Sequence, residues 1–209
     1  MATGRPDATP RTRTRAETPS GSAVEPEWTE YTDFLEQGCD AAFFIGMHAM
    51  AGTTDGMMSH TVSGRDWWRL TFNGQLAGET AINAALCGTW GCPVLLVTGD
   101  TATCAEATEL LGSGLTTVAV KRGIGQYSAR NVAPRRVREL IEAGAKCALA
   151  DLKAVGPYDP GRPCEIVVDF NHVGPLEKYR HRQGVELTGP RRNVSRADDW
   201  WSAWKQFAF

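Results

Sequence analysis

Short apolar runs alternate with amphipathic stretches through the middle of this chain. The apolar runs are bounded by glycine or turn residues, which is typical of strands buried on both faces. They lie at 41–45, 93–100 and 115–120, and the stretches with helical spacing lie at 79–86, 102–111 and 134–149. Strands separated by helices need crossover connections, which produce a mostly parallel sheet. The pattern therefore predicts an α/β fold with helices on both faces of a mostly parallel sheet.

Two further patterns interrupt this alternation. Residues 66–76 predict a hairpin, because Asn73-Gly74 can supply the positive φ angles of a tight turn. After a proline-rich stretch, a strand is predicted at 165–170 and a helix at 198–207. We interpret these last two elements as part of a small C-terminal α/β subdomain.

The N-terminal region has a different composition. Residues 1–27 consist mainly of Pro, Thr, Arg, Ala, Ser and Glu, with almost no large aliphatic side chain. Such a segment buries too little apolar surface to offset its ordering entropy, so we predict a disordered or non-homologous tail over residues 1–33. Its arginines are offset by acidic residues, and the net charge of the chain is only −2, which argues against a nucleic-acid partner. The predicted domains are then the α/β core at 34–156 and the subdomain at 157–209.

The chain carries no targeting or membrane signal. Its N-terminus has no apolar h-region of a secretory signal, and no window approaches the roughly 18 apolar residues of a membrane span. We therefore expect an intracellular, cytoplasmic protein without a membrane partner. The six cysteines include no CxxC pair, and most of them lie in apolar patterns, so free and buried thiols are predicted.

Two of the four histidines and one carboxylate lie near predicted strand and helix ends. His48 follows the first strand, His60 lies in a loop rich in glycine and serine, and Glu79 begins the first helix. Open α/β sheets hold their sites at the carboxyl ends of the strands, and zinc accepts imidazole and carboxylate together. Each residue also has a structural interpretation, as a hydrogen-bonding histidine or as a carboxylate at a helix N-terminus. Together they indicate at least part of a metal site.

Two other polar residues have both a structural and a functional interpretation. Asp100 ends the second strand, where it either caps the next helix or supports a metal ligand, and we favour the cap. Asn83 lies one helical turn after Glu79 and is a candidate for orienting that carboxylate.

Five motifs occur in one unbroken order along the chain. They are GMHAMAG at 46–52, MSH at 58–60, the hairpin with GETAINA at 78–84, CPVLLVTGD at 92–100 and LTTVAVKRG at 115–123. From about Phe34 to near the C-terminus, this order resembles the DppA-like zinc D-aminopeptidases. The resemblance implies a two-zinc site that hydrolyses short peptides with D-amino acids at the N-terminus, and subunits that build a ring, hence a homo-oligomer.

The same resemblance implies roles for four residues. His48 and Glu79 match zinc ligands of the family, and His60 matches a histidine proposed to take part in catalysis. Lys121, at the end of the third predicted strand, matches a family lysine that would stabilise charge in the active-site cleft. A solvated charge at a strand end is the other interpretation of Lys121.

The resemblance fails at the front of the chain. Family members open with an SxDxEG strand, whose Asp bridges the two zincs and whose Glu binds one, and a DSH-like segment supplies another His ligand. Neither motif occurs in residues 1–47. A hydrolytic zinc usually has three protein ligands, and His48 and Glu79 supply two, with His60 or water as a third. We therefore expect one zinc or none, and a truncated aminopeptidase with impaired activity.

Two other functions stay open at this point. One is a non-catalytic relic that serves as the partner subunit of a full-length homologue or of a complementing chain. The other is a metal-free α/β domain that binds a small molecule. The chain has no GxGxxG after a strand and no GxxxxGK[ST] sequence, so nucleotide motifs do not support the second function.

Overall fold

The computed structural model describes residues 35–208, so the tail predicted over residues 1–33 lies outside the described residues. A short 3-10 turn at Leu35–Gln37 precedes the first strand. The strands are β1 (Ala42–Phe44), β2 (Trp67–Phe72), β3 (Gln75–Leu76), β4 (Val94–Asp100), β5 (Thr116–Gly125), β6 (Ser128–Asn131), β7 (Cys164–Phe170), β8 (Val185–Gly189) and β9 (Arg192–Ala197). The helices are α1 (Glu79–Thr89), α2 (Thr101–Leu111), α3 (Pro134–Ala150), α4 (Leu176–Tyr179) and α5 (Trp200–Ala208).

The first sheet, sheet A, contains the strands that the apolar runs predicted. Its order is β1-β4-β5-β6, with parallel pairing of β1 with β4 and of β4 with β5, and antiparallel pairing of β5 with β6. All seven residues of β4 are buried, as expected for a strand that is covered on both faces. Ala107 of α2 and Ala148 of α3 belong to the same buried cluster. The predicted α/β fold, with a mainly parallel sheet flanked by helices, is confirmed.

The second sheet, sheet B, joins the hairpin to the C-terminal part of the chain. Its order is β3-β2-β7-β9-β8, and every neighbouring pair is antiparallel. The predicted hairpin turn is present, with φ angles of 48° at Asn73 and 81° at Gly74. Because β2 pairs with β7, sheet B crosses the predicted boundary at residue 157. That boundary stays a prediction.

Helix α1 links the two sheets. Ile82 and Ala85 are buried in the aromatic cluster on sheet B, whereas Ala84 and Cys87 are buried in the cluster on sheet A. Because protein interiors are closely packed, a helix that is buried on two sides has little freedom to shift. Glu79, the first residue of α1, is therefore held at a fixed position between the sheets.

Most of the clustered tryptophans belong to the core. Trp67, Trp200 and Trp204 are buried, and the rings of Trp200 and Trp204 stack with centroids 5.5 Å apart. Trp68 points the other way and is 51% exposed, because neighbouring residues of a strand face opposite sides of the sheet.

The prediction of free, buried thiols is wrong for three of the six cysteines. Cys39 and Cys92 form a disulfide, with their Cα atoms 5.3 Å apart, and Cys147 is free but exposed. Cys39 and Cys92 precede the adjacent parallel strands β1 and β4, so strand pairing brings together residues that are 53 positions apart. The spacing of the cysteines along the sequence does not predict that these two meet. Across residues 35–208, no helix is long and apolar enough to cross a membrane.

Candidate metal centre

The chain leaves β1 and enters the candidate site along the carboxyl end of sheet A. The backbone N–H groups of Gly46 and Met47 donate to the Thr98 side chain (2.9 Å) and carbonyl (2.8 Å), which fixes the segment beside β4. His48 follows directly. The location matches the general rule that open parallel sheets hold their sites at this edge.

Glu79 reaches the same place from the hairpin side. The residue before it, Gly78, packs against Met50, and a Cβ atom on Gly78 would lie 2.7 Å from the Cβ of Met50. Only glycine allows the start of α1 to approach the loop after His48 this closely. The positive end of the helix dipole stabilises a carboxylate at this first position.

Three side chains converge here. The Nε2 nitrogens of His48 and His60 lie 2.8 Å and 3.5 Å from Oε2 of Glu79. The two imidazole rings are stacked, with centroids 3.9 Å apart and an angle of 18° between their planes. Each side chain is partly buried, so the cluster is shielded but accessible. These residues are the one group of three potential metal ligands in the described part of the chain.

Backbone carbonyls determine which nitrogen of each ring faces the carboxylate as an acceptor. Nδ1 of His48 lies 3.1 Å from the Ala49 carbonyl oxygen, and Nδ1 of His60 lies 2.7 Å from the Met58 carbonyl oxygen. A carbonyl oxygen only accepts, so in both neutral rings the proton is on Nδ1. The lone pairs of both Nε2 atoms are then directed to the site, which is the tautomer that a metal ligand needs.

This arrangement puts three acceptors side by side. Oε2 of Glu79 is shielded from solvent and accepts no well-aligned hydrogen bond from a described residue. The nearby Glu79 carboxylate raises the pKa of His48, against the opposing effect of burial. Burial alone would raise the pKa of Glu79, but the two imidazoles and a backbone hydrogen bond from Val62 outweigh burial and lower that pKa. The cluster therefore favours a cation between its members, either a proton or a metal ion.

The loop from His48 to His60 is anchored by two carboxylates of the neighbouring strand and helix. Glu106 on α2 accepts hydrogen bonds from the Met50 backbone N–H (3.0 Å) and the Thr53 hydroxyl (2.6 Å). Asp100, which is completely buried at the end of β4, accepts one from the Met57 backbone N–H at 2.7 Å. These three hydrogen bonds hold the loop that carries the histidines.

The sequence predicted one of these two carboxylates. Asp100 caps α2 as expected, since its Oδ1 accepts from the Thr103 backbone N–H and hydroxyl, both at 2.8 Å. The bond to Met57 is a second role. Glu106 was missed, and its only signal is a carboxylate among the apolar positions of a helical stretch. Burial raises its pKa, which the hydrogen bonds from Thr53 and Met50 oppose.

Lys121 and Asn83, the other two residues predicted for the site, lie outside the cluster of His48, His60 and Glu79. Lys121 is not at a strand end, because β5 continues to Gly125 through its pairing with β6. It lies opposite Asp100 in the pairing of β4 and β5, and forms no ion pair with a described carboxylate. Asn83 lines the same cleft as Glu79, one helical turn further along α1.

Comparisons with known proteins agree with this geometry. Residues 23–209 match the family model of the M55 peptidases, described as D-aminopeptidase. The chain belongs to this family. The family predicted from the five motifs is therefore confirmed.

Two relatives define the extent of the similarity. The chain is 30% identical over 155 residues to the D-aminopeptidase of Bacillus subtilis (strain 168). This alignment covers 73% of the chain and 55% of the relative. The solved structure of DppA from Bacillus subtilis, described as a Zn-dependent D-aminopeptidase and a self-compartmentalizing protease, superposes with a TM-score of 0.74 at 30% identity. That match covers 80% of this chain and 61% of the other. The family member thus spans about half the length of the curated relative it matches.

Proposed function

We propose that this chain is a zinc-dependent aminopeptidase that acts on short peptides with an N-terminal D-amino acid. Membership of the D-aminopeptidase family supports the reaction class. The observation that carries the proposal is the convergence of His48, His60 and Glu79, whose three acceptor atoms lie within 4.8 Å of one another.

The donor set fits zinc. Two histidines and one glutamate are the ligands of a well-known class of hydrolytic zinc sites, which keep a fourth position open. Ligand atoms about 2.0–2.1 Å from a tetrahedral zinc are about 3.3 Å apart, and the two measured separations here are 2.8 Å and 3.5 Å. We therefore assign His48, His60 and Glu79 as the residues that would hold one zinc ion.

With this assignment, each residue of the site has a defined role in the reaction. Bound zinc would supply a Lewis acid for the scissile carbonyl group and would acidify a water molecule. Ala49 and Met58, through their carbonyl oxygens, hold the two imidazoles in the ligand tautomer. His60 then acts as a ligand rather than as the acid or base of catalysis. Lys121 stays a candidate for stabilising charge in the cleft.

We expect weak turnover and one zinc per chain. The residues at 35–208 offer one group of three potential ligands. In a two-metal site both cations would stabilise the nucleophile, and a site with one zinc would lose the contribution of the second cation. The second candidate function is that of a partner subunit that is completed by another chain, and the single group of three potential ligands among residues 35–208 favours it. We also propose a homo-oligomer, since the related DppA is described as self-compartmentalizing.

Zinc stoichiometry and hydrolysis, measured on the same preparation, test the proposal. Elemental analysis should give about one zinc per chain, and D-alanyl amide should be hydrolysed in preference to L-alanyl amide. Alanine at His48, His60 or Glu79 should abolish both properties, because removal of one of three ligands leaves an incomplete site. His181, which is exposed and lies outside the cluster, provides the matched control His181→Ala.

The possible outcomes separate the two candidate functions. Zinc binding without hydrolysis would support the partner-chain function, and mixing with a full-length family member should then produce a joint complex. Failure to bind zinc in the wild-type chain would overturn the assignment of the three ligands. A His60→Ala variant with wild-type zinc content would instead return His60 to a catalytic role.

A further inference from the structure

A cleft of about 440 Å³ opens beside Glu79 on the side of sheet B. Its walls come mainly from the aromatic core of that sheet and from α1. The apolar lining residues that matter here are Trp67, Ile82, Tyr179, Trp204 and Phe207, each at most 7% exposed. The volume lies in the range of about 300–1,000 Å³ that is typical of small-ligand sites.

We propose that this cleft receives the side chain of the N-terminal substrate residue and selects large apolar, above all aromatic, side chains. The proposal rests on the proposed aminopeptidase function. In that reaction the scissile carbonyl belongs to the N-terminal residue of the substrate. The side chain of that residue is only two bonds from the carbonyl carbon, so it must lie close to the centre formed by His48, His60 and Glu79. Glu79 is common to the metal centre and the cleft, which makes the cleft the adjacent space for that side chain.

The walls of the cleft are suited to an aromatic ring. Trp67 meets Trp204 edge to face with centroids 6.4 Å apart, and Tyr179 meets Phe207 in the same way at 5.8 Å. Because each wall ring is fixed by another ring, the cleft keeps its shape when it is empty. Aromatic pairs of this geometry are favourable beyond their buried area. A substrate methyl group would leave most of the cleft filled with water, whereas a phenyl or indole ring would displace that water.

Three charged side chains line the cleft, namely Glu79 beside the metal centre, Asp66 and Lys178. Asp66 already accepts a hydrogen bond from the Ser63 hydroxyl at 3.1 Å and lies 3.1 Å from Nε2 of His172. Lys178 lines the same cleft and, within residues 35–208, forms no ion pair with a carboxylate. The Lys178 ammonium, whose Nζ lies 5.6 Å from the centroid of the Tyr179 ring, would repel a cationic side chain that enters the cleft beside that ring.

Binding of free amino acids to the metal-free chain tests the proposal without catalysis. By titration calorimetry, D-phenylalanine and D-tryptophan should bind at least about tenfold more tightly than D-alanine, since even one methylene group in an apolar pocket changes recognition by about tenfold or more. D-lysine should also bind more weakly than either aromatic amino acid. For the zinc-loaded chain, kcat/KM for D-phenylalanyl amide should exceed that for D-alanyl amide by a similar factor.

Two variants identify the cleft as the cause. Asn83→Trp should fill it and reduce the ratio of D-phenylalanine to D-alanine affinity to near one. The exposed change Lys178→Glu, which leaves the core intact, should raise the affinity for D-lysine relative to D-phenylalanine several-fold. Ala143→Trp adds the same bulk on the exposed side of α3 and should leave every ratio unchanged.

The outcomes separate this proposal from the proposed function. Hydrolysis of D-alanyl amide without any aromatic preference, or a preference that survives both variants, would overturn the cleft assignment alone. Absence of zinc and of all hydrolysis would overturn the proposed function, while the calorimetric ranking of the amino acids would still decide whether the cleft binds aromatic side chains.

Discussion

Replacement of Asp100 by Asn should loosen the loop that carries His60 while the shape of the side chain is kept. Asp100 accepts from the Thr103 backbone N–H and hydroxyl on one oxygen and from the Met57 backbone N–H on the other. An amide has one oxygen, so one of the two backbone N–H groups must face the NH₂ group of Asn. Asp100 is completely buried, so the mismatched N–H group is shielded from bulk water.

The magnitude follows from these contacts. A buried donor that loses its acceptor costs about 1–3 kcal/mol, and we expect that loss in the free energy of unfolding. If the amide oxygen stays with the helix cap, Met57 is released, three residues before His60. Changes in residues that orient metal ligands typically lower metal affinity about 10–100-fold. We expect the zinc affinity of Asp100→Asn to fall by about that factor, measured by competition with a chromophoric chelator.

Two controls isolate the cause. Glu106→Gln also removes one negative charge near the site, but its amide can accept from Met50 and donate to the Thr53 hydroxyl, so zinc affinity should change little. Thr103→Val removes a hydrogen bond to Asp100 without touching the loop, and should lower stability more than zinc affinity. The reasoning is refuted if Asp100→Asn and Glu106→Gln weaken zinc binding equally, since charge alone would then explain the effect.

Two further predictions follow from the backbone and from the cysteines. Gly123→Ala should destabilise the protein by about 1–3 kcal/mol, because a Cβ atom there would overlap the carbonyl oxygen of Asp55. Gly125→Ala, where a Cβ atom meets free space, is the control. Equal midpoints of the two variants in denaturant unfolding would contradict this prediction. Burial raises the pKa of the Cys87 thiol to about 11, so only about 0.1% is thiolate at pH 8, and labelling should accelerate about tenfold for each pH unit up to that value. Cys147, which is exposed, should be labelled first, and mass spectrometry that finds Cys87 labelled as fast would refute the burial argument.

The local elements of the fold follow from the sequence because local physics defines them. The apolar run before Asp100 becomes the fully buried strand β4, and the Asn73-Gly74 pair makes the turn that its positive φ angles allow. The same is true of the Asp100 cap, since capping involves residues only three positions apart. The five ordered motifs also identified the family.

Tertiary structure decided which distant residues meet. Strand pairing, not spacing, brings Cys39 to Cys92 and extends β5 past Lys121. The sequence suggested that His60 lies near Glu79, but only the folded loop stacks its ring on His48 and directs both Nε2 atoms to one carboxylate oxygen. A helical pattern cannot reveal that Glu106 anchors this loop, because its partners lie more than fifty residues earlier in the chain. Sequence periodicity encodes burial and local geometry, whereas convergence of side chains depends on how the sheets and helix α1 pack together.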